Sequence, residues 1–124
     1  TVLVVEDSHM VRNLVREMLE FCGYTVLEAS DGAEAIQLCT RHAGAIHLLI
    51  TDVVMPQMSG WELAERLTAL YPQMRVLYMS GYPEKSFPAR RREKGKIHFV
   101  QKPFTMETLL RKVREAITGS ALDM

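Results

Sequence analysis

Glu6 and Asp7, Asp52, Ser80 and Lys102 each follow directly on a short apolar or β-branched run, "VLVV", "LLIT", "VLYM" and "HFVQ" respectively. A carboxylate at the end of such a run, as Asp52 is in "LLITDVVMPQMSG" (48–60), is costly to bury unless something pairs with it. Three carboxylates brought together repel one another and raise each other's pKa, so they call for a cation. A hard divalent ion with oxygen ligands, Mg²⁺ or Mn²⁺, suits them. Mg²⁺ takes one or two carboxylates, keeps several waters and also binds phosphate oxygens. Lys102 adds a second positive charge and Ser80 a hydroxyl donor. Such a set can hold an incoming phosphoryl group beside Asp52, whose carboxylate is a usable nucleophile.

Taken singly these residues have plainer readings. Glu6-Asp7 is also the acidic pair that a helix N-terminus favours, and Lys102-Pro103 and Ser80-Gly81 are also ordinary polar turns. What joins them is their common place at the ends of different strands.

The elements that must position them alternate regularly. "TVLVV" (1–5) reads as a buried strand. Ser8 then caps a helix in which Val11, Leu14, Val15, Met18 and Leu19 recur at helical spacing and Gly23 is the stop. "YTVLEA" (24–29) is a second strand, Asp31-Gly32 a turn, and Ala33 to Arg41 a helix with Ala35, Ile36 and Cys39 inward. "HLLIT" (47–51) is a third strand, followed by a helix capped by Ser59 that runs from Gly60 to Leu70 and stops near Pro72. "RVLYMS" (75–80) and "IHFVQ" (97–101) are the fourth and fifth strands. A last helix runs from Met106 to Thr118 behind Thr105, with Leu109, Leu110, Val113 and Ile117 inward. In "PEKSFPARRREKGK" (83–96), Pro83, Pro88 and Gly95 predict a short or irregular fourth helix with an exposed basic side.

Apolar rather than alternating strands, interleaved with helices, imply an α/β doubly wound three-layer sandwich around a parallel sheet. Sites in such sheets lie at the carboxyl ends of the strands, which here gathers the five polar residues on one edge. The organisation is one domain over 1–118 and a tail over 119–124.

Composition sets the boundaries. The chain has 124 residues, 48% hydrophobic and 24% charged, enough for a core without staples. Fifteen basic residues balance fifteen acidic ones, which favours neither nucleic acid nor a membrane surface as partner. The basic run Arg90, Arg91, Arg92, Lys94 and Lys96 reads as a solvated face, or as a dock for an acidic partner. Cys22 and Cys39 match no metal or redox spacing, and no apolar run approaches the ~20 residues of a membrane span, so a reduced, cytoplasmic setting is expected. A start at Thr1 directly in a strand is expected of a domain cut from a longer polypeptide.

Over essentially its whole length the chain resembles the receiver domains of two-component response regulators, through "VVED" (4–7), "ITDVVMPQMSGWEL" (50–63), "YMSG" (78–81) and "QKPF" (101–104). The resemblance implies a flavodoxin-like fold with five strands in the order 2-1-3-4-5, an order for which a receiver is a standing example. It implies that Asp52 accepts a phosphoryl group from a phosphohistidine of a histidine kinase or histidine phosphotransfer protein. Glu6, Asp7, Asp52 and the Val54 backbone carbonyl then hold Mg²⁺, and Ser80 and Lys102 contact the phosphoryl oxygens. Pro56 and Gly60 shape the loop after Asp52, and Lys102–Pro103 is a cis peptide. Phosphorylation draws in Ser80, with Phe99 as its companion in the switch. The surface of the fourth helix, fifth strand and fifth helix shifts with it. The implied assembly is a monomer or weak dimer.

The chain departs from the common pattern at several positions. The hydroxyl is Ser80 rather than Thr. Phe99 stands where many members have Tyr and lacks the hydroxyl, so it reads equally as core. Val54 and Tyr82 flank the phosphoryl position with bulk that slows self-dephosphorylation. "MSGY" and "FVQKPF" resemble the receivers at the carboxyl ends of hybrid histidine kinases, and six residues after Thr118 leave no room for a DNA-binding output domain. A hybrid-kinase receiver or a stand-alone regulator is therefore expected, with self-phosphorylation and slow self-dephosphorylation rather than turnover. Two rivals remain: an interaction domain that takes no phosphate, against which the complete acidic set with Lys102 argues, and a phosphatase of the haloacid dehalogenase type, which needs a second Asp where this chain has Val54.

Overall fold

β1 (Val2–Val5), β2 (Val26–Ala29), β3 (Leu48–Asp52), β4 (Arg75–Ser80) and β5 (Phe99–Gln101) form one parallel sheet in the order β2-β1-β3-β4-β5. The computed structural model describes residues 1–83 and 97–118. The expected fourth of five helices, with its basic run, and the tail 119–124 lie outside the described residues. Four helices are described: α1 (His9–Phe21), α2 (Gly32–Arg41), α3 (Gly60–Leu70) and α4 (Met106–Thr118).

The absence of alternation in β1 and β3 has its cause in the layers. Val2 and Val4 of β1, with Leu48 and Ile50 of β3, face a core completed by Val15 and Leu19 of α1 and Leu109, Val113 and Ala116 of α4. Leu3, Val5 and Leu49 face the opposite core, with Ala35 and Cys39 of α2 and Leu63, Ala64 and Leu67 of α3. Both faces of the central strands are thus covered, as parallel sheets require.

Local chemistry sets the helix ends. Ser8, Asp31 and Ser59 cap α1, α2 and α3, their side chains accepting the N–H of Val11, Glu34 and Glu62. Asp31 is therefore a cap rather than half of a turn, and α2 begins one residue earlier than expected, at Gly32. Gly23, at φ 92°, ends α1 in a conformation that favours glycine. Leu14, though at helical spacing with the apolar set, is about half exposed on the outer side of α1. Asp52 pairs in register with Met79, so β3 includes the aspartate instead of stopping at Thr51. The end strands β2 and β5 are shorter than their apolar runs, because residues 24, 25, 97 and 98 lie outside the ladder.

Candidate functional site

The carboxyl ends of β1, β3, β4 and β5 lie on one edge, and the residues following or ending them converge there. Glu6 continues β1 by one hydrogen bond, its N–H donating to Ala29 O at 3.1 Å. Its carboxylate is almost fully buried yet engaged at both oxygens. Oε2 accepts the Ser8 N–H at 3.0 Å and Oε1 accepts Lys102 Nζ at 2.6 Å. Lys102 Nζ also lies 3.4 Å from Asp52 Oδ1. Its backbone is held by the N–H donating to Ser80 O at 2.7 Å, one peptide before the cis bond to Pro103.

One ammonium therefore serves two buried carboxylates, while Asp7 stands beside them exposed to solvent. Burial first, and then the charge of Glu6, push the Asp52 carboxyl up to about 6, with Asp7 adding to the shift and Lys102 opposing it by charge and hydrogen bond. Burial alone would lower the Lys102 ammonium, but its hydrogen bond to Glu6 and the charges of Asp52 and Glu6 outweigh this and hold it above its ordinary value.

Carboxylate oxygens of Glu6, Asp7 and Asp52 all lie within 4.8 Å of one another. Three acids against one lysine leave a deficit of positive charge, which adds to burial in raising the Asp52 carboxyl. An all-oxygen donor set of this kind fits a hard divalent cation, Mg²⁺ before softer metals.

The loop from β3 to α3 brings its backbone back onto the site. Gly60 N–H donates to Val53 O at 2.8 Å, Met58 N–H donates to Pro56 O at 2.7 Å, and Gln57 between them has φ 72°. A Cβ on Gly60 would lie 2.2 Å from Asp52 O and 3.0 Å from Asp52 C, so only glycine allows this approach. Ser80, buried at the end of β4, accepts the Tyr82 N–H on Oγ at 2.9 Å and keeps its own proton as a donor. Val54 and Tyr82 are exposed, and Phe99 is half-buried in β5 opposite Tyr78.

The structure thus brings together Glu6, Asp7, Asp52 and Lys102, with Ser80 at the adjoining strand end. One participant escaped the sequence reading. Arg12 Nη1 of α1 donates to Glu6 O at 2.7 Å, and its Nε lies 3.5 Å from Glu28 Oε1. The available signal was Glu28, a carboxylate within the apolar run of β2, matched to arginines four residues apart on α1.

A family model described as the response regulator receiver domain matches residues 2–114. The chain is 36% identical over 117 residues to the sensor kinase CckA of Brucella abortus, covering 94% of this chain and 12% of that protein. It is 30% identical over 122 residues to the response regulator MprA of Mycobacterium ulcerans, covering 98% of this chain and 52% of MprA. The chain therefore spans about half the length of one of these relatives and a small part of the other. Among solved structures, the receiver domain from the hybrid histidine kinase CckA superposes with a TM-score of 0.77 at 34% identity, covering 94% of this chain and 97% of that one. Among the described residues no helix is long and apolar enough to cross a membrane. With the family model spanning all five strands and the acidic edge, the chain belongs to the response regulator receiver domains of two-component signalling.

Proposed function

We propose that Asp52 is the phosphoacceptor of this receiver and that its donor is a phosphohistidine on a histidine kinase or histidine phosphotransfer protein. The observation that carries this reading is the shared ammonium. Lys102 bridges Glu6 and Asp52 at the one edge where the carboxylates of Glu6, Asp7 and Asp52 also meet. In the transfer, an Asp52 carboxylate oxygen forms a bond to phosphorus as the P–N bond of the phosphohistidine breaks. The electron pair leaves with the imidazole, and the product is an acyl phosphate on Asp52. Lys102 neutralises charge on the phosphoryl oxygens and Ser80 donates its hydroxyl proton to one of them. Glu6, Asp7, Asp52 and the Val54 carbonyl would hold Mg²⁺, which when bound would supply the remaining positive charge to the acids and the phosphoryl group.

Pro56 and Gly60 shape the loop behind Asp52, Pro103 follows Lys102 at the turn, and Ser80 and Phe99 carry the change of state to β5 and the helix after it. The unit runs over 1–118 with a tail over 119–124, acts in the cytoplasm as a monomer or weak dimer, and touches no nucleic acid itself. Its similarity to the CckA receiver supports an origin in a hybrid histidine kinase. The domain phosphorylates and slowly dephosphorylates itself but turns over no other substrate.

Incubation with acetyl phosphate and Mg²⁺ followed by intact-mass measurement tests this. The expected result is a gain of one phosphoryl group that disappears in Asp52→Ala and on chelation of the metal. No gain in the wild-type protein overturns the reading.

A further inference from the structure

A guanidinium lies directly behind the acidic cluster and pairs with none of its carboxylates. Arg12 instead donates from Nη1 to the backbone carbonyl of Glu6 at 2.7 Å and from Nη2 to His9 Nδ1 at 3.1 Å. Its side chain is 15% exposed and is held in place by Glu28, whose Oε1 lies 3.5 Å from Arg12 Nε. Glu28 is in turn fixed by Arg16, with Nε 3.1 Å from Oε2, and Arg16 reaches on to Glu20 at 2.9 Å. A chain of ion pairs across α1 and β2 therefore ends on a single carbonyl.

That carbonyl has an exact place in the site's backbone. It belongs to the peptide joining Glu6 to Asp7, and β1 ended one residue earlier. The Glu6 N–H is still held by Ala29 O, but beyond it the sheet offers the Glu6 carbonyl no ladder partner. The Glu6 side chain is secured by Ser8 and Lys102. Asp7 is exposed, and among the described residues no hydrogen bond or ion pair restrains its carboxylate, so its direction follows from the peptide before it. Rotation of that peptide would carry the Asp7 Cα, and with it one of the three carboxylates, away from the other two.

We infer that Arg12 is a positioning residue for the divalent-cation site: clamped by Glu28, it fixes the Glu6–Asp7 peptide and so the direction in which Asp7 presents its carboxylate. The inference rests on the cation-binding role of Glu6, Asp7 and Asp52 proposed above. It also makes a choice of sign. As a charge alone, Arg12 repels a cation bound at the cluster, so its removal would tighten binding. As a positioning group its removal weakens binding, by roughly tenfold where an outer-shell hydrogen bond to a metal site is lost.

Calorimetric titration of the folded protein with Mg²⁺ alone, without any phosphoryl donor, separates the two. Arg12→Met keeps most of the apolar stem and is expected to raise the Mg²⁺ Kd roughly tenfold. Arg12→Lys keeps the charge but not the fork that grips both Glu28 and the carbonyl, and is expected to recover less than half of the loss. Amide exchange at Asp7 and Ser8 in the metal-free protein should quicken in both variants. A Kd unchanged or lowered in Arg12→Met overturns the inference. If that variant does not fold, a wild-type Kd in Arg12→Lys overturns it equally. Failure of the wild-type protein itself to bind Mg²⁺ overturns the underlying reading of the cluster instead.

Discussion

The Cα of Gly60 sits so close to Asp52 that a Cβ added to it would lie 2.2 Å from the Asp52 carbonyl oxygen. The first residue of α3 is thereby packed against the backbone of the proposed phosphoacceptor. In a free helix glycine is the poorer choice, and replacing it with alanine gains up to about 1 kcal/mol. Here the sign reverses. Gly60→Ala must push either α3 or the end of β3 aside, at a cost of about 1–3 kcal/mol. Denaturant titration should show that loss. Phosphorylation by acetyl phosphate should fall with it, although residue 60 contributes no side chain to the site.

Asp52 makes the metal-free protein less stable as pH rises. Its carboxyl is pushed up to about 6, by burial first and the Glu6 charge next, from an ordinary value of 3.8. The unfolded chain therefore releases this proton at lower pH than the folded one. Stability from this group is full below about pH 4 and is lost as pH rises through about 6. Asp52→Asn should exceed wild type by about 1–3 kcal/mol at roughly pH 8 with chelator present, and the difference should vanish near pH 4. Adding Mg²⁺ should stabilise wild type more than the variant. Urea denaturation at the two pH values checks both statements.

Lys102→Met leaves the buried Glu6 carboxylate with the Ser8 N–H but without its 2.6 Å cationic partner. Removing one member of a buried pair costs about 3–5 kcal/mol. Because the Ser8 N–H still holds Oε2 of Glu6, the loss should approach the lower figure and be offset in part by Mg²⁺. Thermal melts with and without the metal measure it. Phosphorylation should slow by roughly a hundredfold or more, the scale for losing one preorganised donor to a developing charge.

Val54 and Tyr82, two residues after Asp52 and Ser80 respectively, stand 60% and 62% exposed, bulky side chains with no core to fill. Replacing either by Asn should shorten the phosphoryl lifetime by up to about tenfold, which corresponds to about 1.4 kcal/mol of barrier. Loss of the phosphoryl mass over time measures this. A lifetime unchanged in both variants sinks the assignment.

Much of this was legible before any coordinates. Unbroken apolar runs marked β1 and β3 as strands covered on both faces, and the polar residues after each strand mapped the edge where they meet. The cap residues Ser8 and Ser59 located two helix starts directly. Asp31 was legible only as turn chemistry, because Asp-Gly serves a turn and a cap equally well. Leu14 shows the limit of periodicity: spacing places a residue near a face but does not say how wide the covered stripe is. Arg12 was hidden for a different reason. Glu28 hinted at its ion pair, but its link to the site is a backbone carbonyl, and a main-chain acceptor leaves no letter in a sequence.

Lys102 and Glu6 are separated by 96 positions, and their contact closes the site. The acids precede the ammonium along the chain, so synthesis delivers them first. Until β5 docks beside β4, a partly folded chain that has already buried Glu6 carries that anion without its counterion. Completion of the sheet and arming of the site are consequently one event.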